Sequence, residues 1–197
     1  MEKVIQVTTK ERIIQAALTH FAEHGYEGTT LAMIASDVGI QKPSLYNHFK
    51  NKEELYLYIA DKVMSELIEN MKSCIKKFEN RPIDERLKQL LISSSDFIIR
   101  KQKGMMYKRF MIFPPAPLKE SVRNIAVAGD GEINALLEQL YEQGVDEGFV
   151  KISQSTFLSS YYVLLDGLFT EGFIYEEEDF RNRFEDAWHV FWKGISS

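Results

Sequence analysis

The sequence predicts an all-α protein of about nine helices, with a small three-helix head over 1–52 and a larger helical bundle over 53–197. Three observations carry this. Apolar residues recur at i, i+3, i+4, i+7 through most of the 197-residue chain, and no stretch shows long period-two alternation. The five prolines and eleven glycines fall mostly between the periodic segments, as helix punctuation does. Charge divides at the same place: 1–52 carries six Lys/Arg against five Asp/Glu, a net of +1, and 53–197 carries eighteen against twenty-four, a net of −6.

The first helix begins at Thr8-Thr9-Lys10-Glu11, where Thr8 and Glu11 have capping-box spacing. Ile14, Ala17, Leu18 and Phe21 form one apolar stripe, and Gly25 is placed to end the helix. Thr29 or Thr30 can cap a second helix, in which Leu31, Ile34, Ala35 and Val38 repeat the spacing before Gly39. Pro43 suits the first turn of a third helix, which leans on the other two through Leu45 and Phe49. Asn51 and Glu54 then open a long fourth helix, from Lys52 to about Glu79.

After Pro82 a fifth helix runs to about Lys103, and a short sixth covers Met105 to Phe113. Phe113-Pro114-Pro115-Ala116-Pro117 breaks the chain, since proline lacks the N–H a helix interior needs. A seventh helix spans roughly Leu118–Gly144, with a disturbance expected at Gly129-Asp130-Gly131. The eighth and ninth cover about Gln154–Tyr175 and Glu178–Lys193.

Several classes are disfavoured. The N-terminus mixes charge signs and lacks signal-peptide anatomy, and the longest apolar run, Tyr161–Leu165, is far short of the roughly 18 residues of a membrane span. A cytoplasmic location is expected. One cysteine, Cys74, excludes an internal disulfide, and no Cys/His spacing suits a metal. No glycine-rich phosphate loop or nucleophile elbow appears, so neither an enzyme nor a cofactor is expected.

Two helices joined by the tight turn Val38-Gly39-Ile40 make a helix-turn-helix. With Leu45 and Phe49 inward, Gln41, Lys42, Ser44, Asn47 and His48 face outward and Tyr46 lies at the rim. Amide, hydroxyl and imidazole groups can bond base edges in a major groove. Lys42, Lys52, the Tyr46 hydroxyl and the free N–H groups opening the second and fourth helices can reach phosphates. Taken alone, the spacing also fits an ordinary solvated connecting helix, so a helical adaptor or small-molecule-binding protein without a DNA role stays open as the alternative.

GYEGTTLAMIASDVGIQKPSLYNHFKNKEELY resembles the N-terminal domain of the TetR/AcrR family of bacterial transcriptional repressors, the likeness running from about Lys10 to Tyr58. The resemblance implies a three-helix DNA-binding domain over 1–52 and a helical effector-binding and dimerisation domain over 53–197. By position it implies that Thr29 or Thr30, Tyr46 and Lys52 hold phosphates. It places Gln41, Lys42, Pro43, Ser44, Asn47 and His48 at the groove, Asn47 standing where relatives often have an aromatic residue.

In the body, the eighth segment is apolar around most of its circumference, and the ninth carries Phe180, Phe184, Ala187, Trp188, Phe191 and Trp192. Such helices need cover on more than one side, from within one subunit or in a twofold four-helix interface, with Gly167 and Gly172 allowing close approach. The resemblance favours the homodimer, and with it a pseudo-palindromic double-stranded DNA operator. Met105, Met106, Tyr107, Phe110, Met111 and Phe113, with Tyr161, Tyr162 and Phe169, read either as core or as the lining of a pocket for a small apolar or amphipathic effector. Arg109 or Asp166 would be its polar anchor.

Overall fold

A computed structural model of the chain describes residues 7–99 and 102–197. Among them there are nine α-helices, one 3-10 turn and no strand: α1 (Thr9–Gly28), α2 (Leu31–Val38), α3 (Lys42–Tyr46), α4 (Lys52–Lys77), α5 (Ile83–Ile99), α6 (Gln102–Ile112), the turn Ala116–Leu118, α7 (Lys119–Asp146), α8 (Gln154–Ile174) and α9 (Glu177–Ser196). The expected passage of the fifth helix through residues 100 and 101 lies outside the described residues. The chain divides into two compact units, one of Met1–Ser65 with Lys101–Ala126, the other of Glu66–Arg100 with Val127–Ser197.

In the first unit α1 packs on α2 and on α6, and α2 on α3. The capping box forms as its spacing predicts: Glu11 N–H donates to Thr8 Oγ1 at 3.2 Å, and Thr8 N–H to Glu11 Oε2 at 2.7 Å. That bond holds the Glu11 carboxyl below its ordinary pKa. The buried face of α1 is Ile13, Ala17, Leu18, Phe21 and Ala22, with Ile14 half-buried instead of central. Gly25 bends α1 without ending it; its φ of 71° is a conformation other residues adopt only under strain. Gly39 closes α2 at φ 70°, with its own N–H on Ser36 O and that of Ile40 on Ala35 O, both at 3.0 Å. This is the Schellman pairing that satisfies the last carbonyls.

The second unit packs α5 on α8 and α8 on α9. Its core includes Leu87, Leu90, Leu91, Ile98, Leu137, Phe157, Tyr161, Leu165 and Trp188. Tyr161 is fully buried and its hydroxyl donates to Leu87 O at 3.2 Å. Helix α7 runs through Gly129-Asp130-Gly131 without the expected interruption, since 28 residues of helix outweigh a glycine cost of about 1 kcal/mol each. Gly172 does allow close approach: a Cβ there would meet Ile99 Cδ1 of α5 at 2.0 Å. Cys74 is buried, and burial raises its thiol pKa, so little of the reactive thiolate forms. Among the described residues no helix is long and apolar enough to cross a membrane, and no group of three or more His, Cys, Asp or Glu could hold a metal.

Candidate nucleic-acid interface

Helix α3 is only five residues long and would not be stable alone. It is fixed by the fully buried Leu45, by Phe49 just after it, and by the Schellman turn before it. Pro43 occupies its first turn, and Ser44 N–H bonds back to Gln41 O at 2.8 Å. This leaves Gln41, Lys42, Pro43, Ser44, Tyr46, Asn47 and His48 all exposed. The Lys42 ammonium lies 5.9 Å from the Tyr46 ring centroid, so a cation and a hydroxyl-tipped ring share one edge of the helix. The orientation of α2 is held from α1 by His20 Nε2, 2.8 Å from Asp37 Oδ2, and by Arg12, which donates to Val38 O.

The two threonines separate. Thr30 is exposed and caps α2, its Oγ1 accepting from Met33 N–H at 3.2 Å. Thr29 is 0% exposed, and its hydroxyl donates to Gly25 O at 2.7 Å. The Thr29 hydroxyl is therefore buried and committed within the fold, and Thr30 is the exposed one of the pair.

Lys52 makes contacts within the fold that the sequence does not reveal. Its ammonium donates to Tyr26 O at 2.8 Å and Thr29 O at 3.2 Å and sits 4.0 Å from the Tyr26 ring centroid. Two of its three donors are thus spent closing the end of α1. The N-terminus of α4 is similarly occupied: Asn51 Oδ1 accepts from Glu54 N–H at 2.7 Å, and Glu54 Oε2 from Lys50 N–H at 2.6 Å. With Glu53 and Glu54 in its first turn, this terminus disfavours an approaching phosphate.

The residues considered for an effector fall on two helices. On α6, Met106, Tyr107 and Phe110 are buried, Met111 is half-buried and Met105 is exposed, and Phe113, just past its end, is exposed as well. Arg109 is not a free anchor: its Nε donates to Ala22 O at 2.7 Å and an Nη to Glu23 O at 2.8 Å. The sequence marks Gly25 as the end of α1, but not that a cation 84 residues further on serves the carbonyls beside it. On α8, Phe169 is buried and Tyr161 is committed to Leu87. The Tyr162 hydroxyl donates to Asp130 O at 3.5 Å. Burial raises the Asp166 carboxyl pKa, with nearby Asp130 adding to it, and burial raises that of Asp130 as well.

An exposed, partly cationic recognition helix held by a buried leucine behind a Schellman turn, on an otherwise acidic all-helical chain, defines a helix-turn-helix transcriptional regulator. The bacterial regulatory proteins of the tetR family match residues 13–59 by their family model. The biofilm operon icaADBC HTH-type negative transcriptional regulator IcaR of Staphylococcus epidermidis is 26% identical over 90% of this chain and 93% of its own length. IcaR of Staphylococcus aureus strain Newman is 53% identical over a stretch that is 24% of this chain and 25% of the relative. The transcriptional regulator FadR from Bacillus subtilis, solved in complex with stearoyl-CoA, superposes with a TM-score of 0.74 at 20% identity, covering 93% of this chain and 98% of that one, a likeness of fold. Over residues 13–59, then, this chain is similar to the DNA-binding domain of the TetR family of transcriptional regulators, and a relative of that kind aligns along nearly its whole length.

Proposed function

We propose that the protein is a repressor that binds a pseudo-palindromic operator as a dimer and is released by a small apolar or amphipathic effector. The observation that carries the DNA reading is the exposed face of α3, where six polar or charged side chains and Pro43 stand clear around the single buried Leu45. Gln41, Ser44, Asn47 and His48 offer the donors and acceptors that distinguish base pairs, while Thr30, Lys42 and Tyr46 hold the backbone. The negative regulator named among the relatives supports repression over activation. In this division of labour residues 1–52 read DNA, and residues 53–197 bind the effector and pair the subunits.

The dimer reading rests on α8 and α9. Between them runs an open groove of about 1130 Å³ whose lining includes Ser159, Val163, Gly167, Ala187 and Val190. Val163 is 73% exposed and Val190 71%, and nothing lies within 4 Å of a Cβ built on Gly167. A second copy of the same two helices covers this face in a twofold four-helix arrangement. Two heads then meet successive major grooves about 34–36 Å apart.

The effector reading is supported by the fold likeness to a regulator solved with an acyl thioester of coenzyme A, and by the methionine- and aromatic-rich α6. An effector releases the operator only to the extent that it binds a non-reading arrangement more tightly than the reading one.

The test is selection of genomic fragments by the purified protein, scored by gel shift against a Thr30→Ala, Tyr46→Phe variant. One enriched inverted repeat, bound more weakly by the variant, is the expected result. A folded wild-type dimer that enriches no fragment, with or without acyl-CoA present, would overturn the DNA reading. Sedimentation of Val163→Arg checks the interface: monomers are expected, and an unchanged dimer rejects the α8/α9 face.

A further inference from the structure

The bent end of α1 is bounded by two cations from distant parts of the chain. Before Gly25, Arg109 bonds the carbonyls of Ala22 and Glu23. After it, Lys52 bonds those of Tyr26 and Thr29. A left-handed residue inside a helix displaces the carbonyls around it from the regular ladder, and buried or half-buried carbonyls need donors. The local chain supplies two, the Thr29 hydroxyl to Gly25 O and, at 3.4 Å, the Thr29 N–H to Tyr26 O. The others come from α4 and α6.

Arg109 is suited to this by position. It sits in the last turn of α6, where a cation is favoured by that helix's own dipole, and its guanidinium is turned toward the C-terminal carbonyls of α1, where a cation is favoured again. Phe113-Pro114-Pro115 stops α6 one turn later, and Phe113 N–H bonds Arg109 O at 3.0 Å. The fit is close: a Cβ on residue 25 would stand 3.1 Å from Arg109 Nη1. Glycine is therefore required there by its φ, and any Cβ would also press the guanidinium back by a few tenths of an ångström. A second polar contact joins the same two helices about two turns away along α6, where the Thr19 hydroxyl donates to Gln102 Oε1 at 2.9 Å and Gln15 Nε2 to the same atom at 3.4 Å.

We propose that Arg109 is a positioning residue for operator binding: it clamps the bent end of α1 to α6, so that α1, α2, α3 and α6 meet DNA as one rigid piece. This rests on the reading of α3 as the DNA-contacting helix. Arg109 touches no DNA in this role. It raises the fraction of molecules whose α1 end, and the α2 start that follows it at Thr30, are in the reading arrangement. Losing the clamp lowers that fraction and raises the apparent Kd in proportion.

The experiment uses the full-length chain with Arg109→Gln, Arg109→Lys and Gln102→Ala, measured three ways: melting temperature, hydrogen exchange of the amides from Tyr26 to Gly28 without DNA, and affinity for the selected inverted repeat across a salt series. Arg109→Gln is expected to speed exchange at those amides and to weaken binding about tenfold. The slope of log affinity against log salt stays unchanged, because the bound state keeps the same phosphates. Arg109→Lys, which retains charge without the two-pronged fork, falls between, and Gln102→Ala shows a smaller change of the same kind. Unchanged exchange in Arg109→Gln overturns the proposal whether or not an operator is found. Weakened binding fully accounted for by a lost folded fraction overturns it too. A salt slope reduced by about 0.9 would mean a direct phosphate contact, and also rejects it. Wild-type binding with unaffected variants defeats the clamp alone, while no binding by wild type defeats the DNA reading.

Discussion

Gly167 and Gly172 lie on one helix five residues apart, yet alanine should act oppositely at the two. At Gly172 a Cβ would fall 2.0 Å from Ile99 Cδ1 and 2.4 Å from its Cγ1. Ordinary carbon contacts are about 3.5–4.0 Å, so roughly 1.5 Å of separation must be found by turning Ile99 or by moving α5 from α8. Overpacking of this kind costs about 1–3 kcal/mol. Replacing glycine inside a helix returns up to about 1 kcal/mol, so Gly172→Ala should lose roughly 0–2 kcal/mol net. At Gly167 no atom lies within 4 Å of the added Cβ, and only the helix gain remains within one subunit. Thermal or urea unfolding of both variants at one protein concentration should therefore separate them by about 1–3 kcal/mol. Ile99→Ala combined with Gly172→Ala should recover most of the clash, a clear departure from additivity. A Gly172→Ala protein as stable as Gly167→Ala, or additive behaviour with Ile99→Ala, would refute the close approach of α5 and α8. In the dimer proposed above, Gly167→Ala should also weaken subunit association at low concentration, which the monomer's gain does not offset.

Further outcomes follow from charge and burial. Tyr56 is almost wholly buried, and burial raises its pKa to about 12, with Arg109 opposing the shift. A phenol with a raised folded pKa contributes full stability below its unfolded value near 10 and loses it above, so pH titration should show about 2–3 kcal/mol lost between roughly pH 10 and 12, absent in Tyr56→Phe. Asp166 is raised by burial and by Asp130, so its ionised form is the one the fold disfavours. Its stability contribution is present below the unfolded carboxyl pKa and lost as pH rises, and because the residue is exposed the effect is small: Asp166→Asn should raise the melting temperature slightly at pH 7 and leave it unchanged at pH 3. Lys52→Met should cost about 1–2 kcal/mol through the lost carbonyl bonds, while the salt slope of DNA binding stays within half a unit of wild type; a fall near 0.9 would restore the phosphate role.

Much of the fold was legible from local signals. Thr8 with Glu11, Gly39 and Pro43 act through atoms within a few residues of themselves, and each behaves in the structure as its spacing predicts. Periodicity puts Ile14 in the apolar stripe of α1 where the fold buries Ile13, because the two are adjacent and spacing alone does not choose between them. The face of α3 was also legible, since burying Leu45 and Phe49 on a short helix leaves few directions for everything else. Gly129 and Gly131 predict a disturbance that does not occur, because glycine's cost is a weak local preference that a long packed helix overrides.

By itself, then, the sequence determined the helical class, the order of elements and the exposed face of α3. All of these depend on residue identity and short-range spacing. Only the tertiary structure decided which of two adjacent threonines is exposed, that Lys52 and Arg109 serve the carbonyls of α1, and that Gly172 meets Ile99 while Gly167 faces an open groove. Those facts join residues as far as 87 positions apart. A cation, a hydroxyl or a glycine has the same composition and local pattern whatever it faces, and its partner is fixed only once the helices are packed.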